Sequence, residues 1–238
     1  FFSSPFPFFS LLSFFLFFSS SFPFFLPPPP PTPGEVTCVM GVNGVGKTSL
    51  LKAISGTHPM SSGTFQFDGR DVRRATAHSL AQKGIAYVPQ GREIFPFLTV
   101  QENLEIGFAC LSRDQRRIPD DIFELFPILK DFLGRRGGDR SGGLQQQLAI
   151  ARALVTQPKL FLLDEPTEGI QPNIIKQIGD VIGMLRSRGT MAIVLVEQFF
   201  DFAYGLGDRF LVLERGVVKT RGTAAELGRE TLLDAVSV

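Results

Sequence analysis

One eight-residue stretch constrains the fold of this chain more than any other. Gly41-Val42-Asn43-Gly44-Val45-Gly46-Lys47-Thr48 fits G-x-x-x-x-G-K-[ST], and it sits between the apolar run Val36 to Met40 and the helix-forming Ser49-Leu50-Leu51-Lys52-Ala53-Ile54. A strand that enters such a loop and leaves it as a helix turns backbone N–H groups towards one anion, with the positive end of the helix behind them. In that frame Lys47 reaches the β- and γ-phosphates and the Thr48 hydroxyl is a Mg²⁺ ligand, while Gly41, Asn43, Gly44, Val45, Gly46 and Ser49 complete the cradle. The expected architecture is an α/β P-loop protein that binds ATP with Mg²⁺.

The second half of such a site is an acidic residue at the end of a hydrophobic strand. Leu160-Phe161-Leu162-Leu163-Asp164-Glu165 supplies two. Asp164 is expected to hold Mg²⁺ through its water shell, and Glu165, with no metal duty, is placed to polarise a water for in-line attack on the γ-phosphorus. An Asp-Glu pair that merely caps the next element is the competing reading, since Pro166 ends the strand either way.

Around these motifs the chain reads as alternating strands and amphipathic stretches. Val36 to Met40, Ile85 to Val88, Leu160 to Leu163 and Met191 to Val196 are nearly continuous apolar runs, as suits parallel strands covered on both faces. Thr64 to Phe67 followed by Asp68-Gly69, and Phe210 to Leu213 and Val217 to Thr220 about Glu214-Arg215-Gly216, read as antiparallel hairpins. Thr99-x-x-Glu102 is a capping box, and Pro119 is expected to open a helix towards Phe126, so residues 92 to 140 are expected to be helical and inserted. Lys and Arg number 24 against 23 Asp and Glu, which excludes the strongly basic footprint of a nucleic-acid binder. Cys38 and Cys110 lie far apart with no metal-binding spacing and read as core thiols of a reducing compartment. His58 and His78 match neither motif and read as solvated or capping residues.

The first part of the chain has a different composition. Twelve of the 25 phenylalanines lie in residues 1 to 26, nine of the 17 prolines in residues 1 to 33, and the first charge is Glu35. Pro27 to Pro31 favour extended polyproline II and mark a boundary, so the expected division is a Phe/Ser/Pro-rich tail, 1 to 33, and a domain, 34 to 238. The tail admits three readings: membrane anchor, secretory signal, or low-complexity sequence without a native role. The uninterrupted stretch Phe8 to Phe22 is fifteen residues with five serines, against roughly 20 apolar residues for a span. No Lys or Arg precedes it and no Ala-x-Ala follows it, which leaves low complexity as the favoured reading.

The order of further segments resembles the ATP-binding subunits of ABC transporters. Val88-Pro89-Gln90 follows the P-loop, Ser141-Gly142-Gly143 precedes Asp164, and Gln145-Gln146-Gln147-Leu148-Ala149-Ile150-Ala151-Arg152-Ala153-Leu154 follows that. The resemblance runs from Gly34 to about Val238. Pro89-Gln90-Gly91-Arg92-Glu93-Ile94-Phe95-Pro96, Asp164-Glu165-Pro166-Thr167-Glu168-Gly169 and Val196-Glu197-Gln198 are similar to importers of branched-chain amino acids and urea, and further segments tilt the likeness towards the urea importer. It implies an ABC-type domain: a mixed β core, an inserted helical subdomain over 92 to 140, and a small antiparallel β part.

By that resemblance Gln90 contacts Mg²⁺ and the attacking water and faces the permease, and Gln198 hydrogen-bonds the γ-phosphate where most subunits carry a switch His. Ser141, Gly142 and Gly143 are implied to bind the γ-phosphate of ATP held by an opposing subunit. The implied partners are a second ATP-binding subunit, in a heterodimer, and membrane permeases. The implied location is peripheral, on the cytoplasmic face of the inner membrane, with no nucleic acid partner.

The chain departs from the family pattern at three places. Arg140 and Leu144 flank Ser141-Gly142-Gly143 where the signature reads Leu-Ser-Gly-Gly-Gln, so the site using it is expected to be weakened. The Phe-rich tail stands where family members carry strands and an adenine-stacking aromatic, so no residue is assigned to adenine, and an exposed sheet edge with weaker ATP affinity is expected. The alternatives are a regulatory subunit that holds ATP with little hydrolysis, or an ABC ATPase of DNA repair or translation. The latter normally shows a coiled-coil insertion or a tandem cassette.

Overall fold

The computed structural model describes residues 14–15 and 31–236. The tail assignment, 1 to 33, therefore lies almost wholly outside the described residues. Nine strands are described: β1 (Phe14–Phe15), β2 (Val36–Met40), β3 (Thr64–Phe67), β4 (Arg70–Asp71), β5 (Ile85–Val88), β6 (Leu160–Asp164), β7 (Ala192–Val196), β8 (Arg209–Glu214) and β9 (Val217–Thr223). The main sheet has the order β5-β6-β7-β2-β8-β9. Its first five strands run parallel, and β9 closes one edge as the antiparallel partner of β8.

The apolar runs become central strands because alternate residues enter two cores. Val36, Cys38, Met40, Phe161, Leu163, Ile193 and Leu195 face one side, and Val39, Leu160, Leu162, Val194 and Val196 the other. On the first side lie the helices Gly142–Leu154 and Pro172–Arg188. The latter buries Ile178, Val181, Ile182 and Leu185 at helical spacing, with Pro172 in its first turn and Gly189 in the left-handed conformation at its end. On the second side Leu51 and Ile54 of the helix Lys47–Ile54 pack with Phe65, Phe67 and Leu80.

A small antiparallel sheet, β1-β3-β4, holds the Asp68-Gly69 hairpin. Along one side of β3, Phe14–Phe15 pair with Thr64 and Phe65. Between β5 and β6, which pair directly, the chain forms the helices Val100–Glu105, Asp121–Leu125 and Pro127–Asp131 with three short 3₁₀ segments, and then the helix Gly142–Leu154. The Thr99/Glu102 capping box is formed in both directions. The helix expected at Pro119 starts at Asp121, because Pro119 first closes a turn with its carbonyl accepting from Ile122 N–H at 3.1 Å. It ends at Leu125 because Phe126 precedes Pro127 and is driven out of helical geometry (φ −132°, ψ 70°). Cys38 is buried, whereas Cys110 is only half-buried, and His58 and His78 are exposed.

Candidate functional site

The P-loop follows β2, and β6 and β7 end beside it in register: Val39 pairs with Val196, and Val196 with Asp164. Three parallel strands thus deliver their following residues to one crevice at their carboxyl ends, where α/β sheets place ligands. Gly46 caps the helix Lys47–Ile54 at φ 101°, a left-handed geometry that glycine adopts at least cost. Lys47 follows, with only 4% of its surface exposed. Its ammonium donates to the carbonyls of Gly41 at 2.8 Å and Val42 at 3.1 Å, and lies 3.6 Å from Glu165 Oε1.

The acids at the end of β6 face this turn. Asp164 Oδ1 accepts from the Thr48 hydroxyl at 3.2 Å, and Oδ2 from the Tyr87 hydroxyl at 3.0 Å. Burial pushes the Asp164 carboxyl above the ordinary carboxylate value, against the opposing effect of those two hydrogen bonds. Burial likewise raises Tyr87, and Asp164 beside it adds to the effect, so the phenol stays a donor. A hydroxyl and a carboxylate meeting at this distance form a hard oxygen donor set, which fits Mg²⁺.

Glu165 turns back under the sheet with φ 47°, a left-handed geometry that costs a non-glycine residue about 1–3 kcal/mol. Its N–H donates to the Val196 carbonyl at 2.9 Å, which fixes the turn. Two amides converge on its carboxylate: Gln198 Nε2 donates to Oε1 at 2.7 Å, and Gln90 Nε2 to Oε2 at 3.2 Å. Gln90 also donates to Glu168 Oε2 at 3.0 Å. In this structure the Gln90 amide nitrogen therefore joins the Glu165 cluster and leaves the Thr48–Asp164 pair to Tyr87. A carboxylate held by two amides and an ammonium is oriented to accept a proton from a water.

Ser141, Gly142 and Gly143 form a separate locus. Ser141 caps the helix Gly142–Leu154, its hydroxyl accepting from Leu144 N–H at 3.4 Å. Arg92 lies against this turn, so that a Cβ added to Gly142 would meet its guanidinium at 2.9 Å and push that side chain aside. The Arg140 guanidinium stands 5.0 Å over the Phe132 ring, and its buried Nε has no hydrogen-bond partner. Leu144 is 9% exposed and packs into the core.

Sequence reasoning missed Tyr87, Glu168, Arg92 and the buried Glu197. The signal for Glu197 is the one that exposed Asp164, an acid directly after a continuous apolar strand. Among the described residues no helix is long and apolar enough to cross a membrane.

A family model described as ABC transporter matches residues 32–168. The chain is 42% identical over 195 residues to the high-affinity branched-chain amino acid transport ATP-binding protein BraG of Pseudomonas aeruginosa, covering 82% of this chain and 83% of that protein. An ABC transporter ATP-binding cassette solved in its ADP conformation superposes with a TM-score of 0.71 at 27% identity, covering 86% of this chain and 84% of that one. A dimeric cassette bound to ADP and phosphate superposes with a TM-score of 0.72 at 25% identity, covering 81% and 86%. The nucleotide cradle, the ABC-type fold and these likenesses agree: the chain belongs to the ABC transporter family, as an ATP-binding subunit with ATPase activity.

Proposed function

We propose that this chain powers an importer, coupling ATP binding and hydrolysis to movement of membrane permeases for uptake of branched-chain amino acids, with urea as the other solute of the same branch. The observation that carries this reading is the convergence of Lys47, Gln90 and Gln198 on the Glu165 carboxylate beside the Thr48–Asp164 pair. Lys47 and the amides from Gly41 to Ser49 hold the ATP phosphates. Glu165 takes the proton of the attacking water, while Gln198 and Gln90 orient the carboxylate and line the path to the γ-phosphorus. Thr48 and Asp164, with Gln90 at the edge, hold Mg²⁺, which when bound neutralises phosphate charge.

Ser141, Gly142 and Gly143 serve the nucleotide of a second, non-identical ATP-binding subunit, so two incomplete sites close across a heterodimer. ATP contacts both chains, and its hydrolysis releases them. Residues 34 to 238 form one ATP-binding domain, and 92 to 140 its inserted helical part, which carries the motion from Gln90 to the permease at the cytoplasmic face of the membrane.

Glu165→Gln tests the reading. Turnover is expected to fall on the order of 10²- to 10⁴-fold with ATP binding retained. The displaced signature flanks Arg140 and Leu144 favour a second reading, a subunit that holds ATP with little hydrolysis. An unchanged steady-state rate in Glu165→Gln selects that one.

A further inference from the structure

A buried carboxylate outside the Glu165 cluster, that of Glu197, takes no part in the steps proposed for hydrolysis. Glu197 follows the last residue of β7 and is 2% exposed. Its N–H donates to the Val39 carbonyl at 3.3 Å, which ties it to the strand that leads into the P-loop. Its two oxygens accept from four donors. Oε1 takes the Thr167 N–H at 3.1 Å and the Thr167 hydroxyl at 2.7 Å, and Oε2 takes the N–H groups of Gln198 at 3.0 Å and Phe199 at 3.3 Å.

These four bonds begin where the β6–β7 ladder ends, at Asp164 and Val196. The ladder aligns the strands, and past it the Glu165 N–H to the Val196 carbonyl ties only the first residue of the Glu165–Thr167 turn to the end of β7, which leaves Thr167 and the Gln198–Phe199 turn to be fixed by side chains. Glu197 reaches both. Because all four partners are donors, only a carboxylate serves all of them; an amide would set its own N–H₂ against backbone N–H groups. A buried carboxylate is also a poor choice for stability alone, since desolvation opposes its charge.

We propose that Glu197 is a positioning residue, a clamp that fixes the turn after β6 to the turn after β7 and so keeps the Gln198 amide on the Glu165 carboxylate. The inference rests on the reading of Glu165 as the proton acceptor. It predicts a loss of rate rather than of ATP affinity, because Glu197 reaches the reacting atoms only through Gln198 and Glu165.

The test uses the full chain, with steady-state ATP hydrolysis at saturating ATP, equilibrium ATP binding and the thermal midpoint measured on Glu197→Gln, Gln198→Ala, their double variant and Glu165→Gln. Glu197→Gln is expected to lower kcat on the order of 10²-fold while ATP affinity stays within about twofold. In the Gln198→Ala background the same change is expected to remove little further rate, since the two act in series. An unchanged kcat, a full additive loss in the double variant, or a parallel collapse of ATP affinity and thermal midpoint would each overturn the clamp.

Should Glu197→Gln fail to fold, Thr167→Val removes one donor only. It is expected to lower kcat several-fold at unchanged affinity, and no loss there overturns the proposal equally. Glu165→Gln separates the two readings. If it is silent, the proton-acceptor reading falls; if it abolishes turnover while Glu197→Gln is silent, only the clamp falls.

Discussion

The two loci that the family resemblance marks for phosphate differ in how complete they are within one chain. At the P-loop end, strand termini from three positions in the sheet place the buried Lys47, Asp164 and Glu165 together, with Lys47 and the exposed Gln198 on Glu165 and Thr48 on Asp164. At the signature end Ser141 is exposed, Arg92 packs on Gly142, and Arg140 carries an unsatisfied buried nitrogen. The contrast teaches that convergence of parallel strands can finish a polar site internally, whereas a single helix N-terminus offers donors but nothing to close over them. The second locus is physically suited to completion by another chain.

Asp164→Asn strikes the P-loop end hardest. Turnover is expected to fall by about 10²-fold or more if the cluster works as a unit. The same substitution is expected to raise the thermal midpoint at neutral pH. Burial raises the folded pKa of Asp164 above its unfolded value, so the stability linked to this group is fully present below the unfolded pKa. It is lost as pH rises through the folded one. The advantage of Asn over Asp in melting experiments should therefore shrink as pH is lowered through that window, and an advantage that does not vary with pH would refute the assignment. The carboxyl of Glu197, also raised by burial, contributes the same sign of pH dependence, but Glu197→Gln gains nothing from it because an amide opposes the backbone N–H groups there.

A second comparison acts on the signature end. The double change Arg140→Leu and Leu144→Gln is expected to raise ATP turnover if the altered flanks weaken the site, and no gain rejects that idea. The single changes should separate in stability. Leu144→Gln buries an amide in the core and is expected to cost about 1–3 kcal/mol by denaturant unfolding. Arg140→Leu removes an unsatisfied nitrogen and is expected to be neutral or stabilising. The smallest effect belongs to Ser141→Ala, which loses a helix cap worth roughly 1 kcal/mol; a loss of that size at unchanged ATP affinity of the isolated chain keeps the two loci independent.

Much of the fold was legible because its signals are local. The P-loop is contiguous, the central strands are continuous apolar runs, and the Thr99/Glu102 box is read over four residues. Asp164 and Glu165 were legible because a charge after such a run has few other reasons to be there. Tyr87 was not, since a tyrosine within Ile85-Ala86-Tyr87-Val88 looks like one more apolar ring until its hydroxyl is found on Asp164. The direction of Leu144 was not legible either: the motif suggests its neighbours, but helix rotation decides which side chains turn to the core.

The nucleotide cradle and the two acids at the end of a buried strand can be read from residue order alone, because both depend on spacing along a few residues. The meeting of Gln198 and Gln90, 33 and 75 residues away from Glu165, on its two oxygens is a product of the folded chain. That Glu197 binds two turns at once was decided there too. The physical reason is that hydrogen bonds need positions within about 3 Å, and such distances between remote residues are set by sheet order and register, which no local pattern of residues encodes.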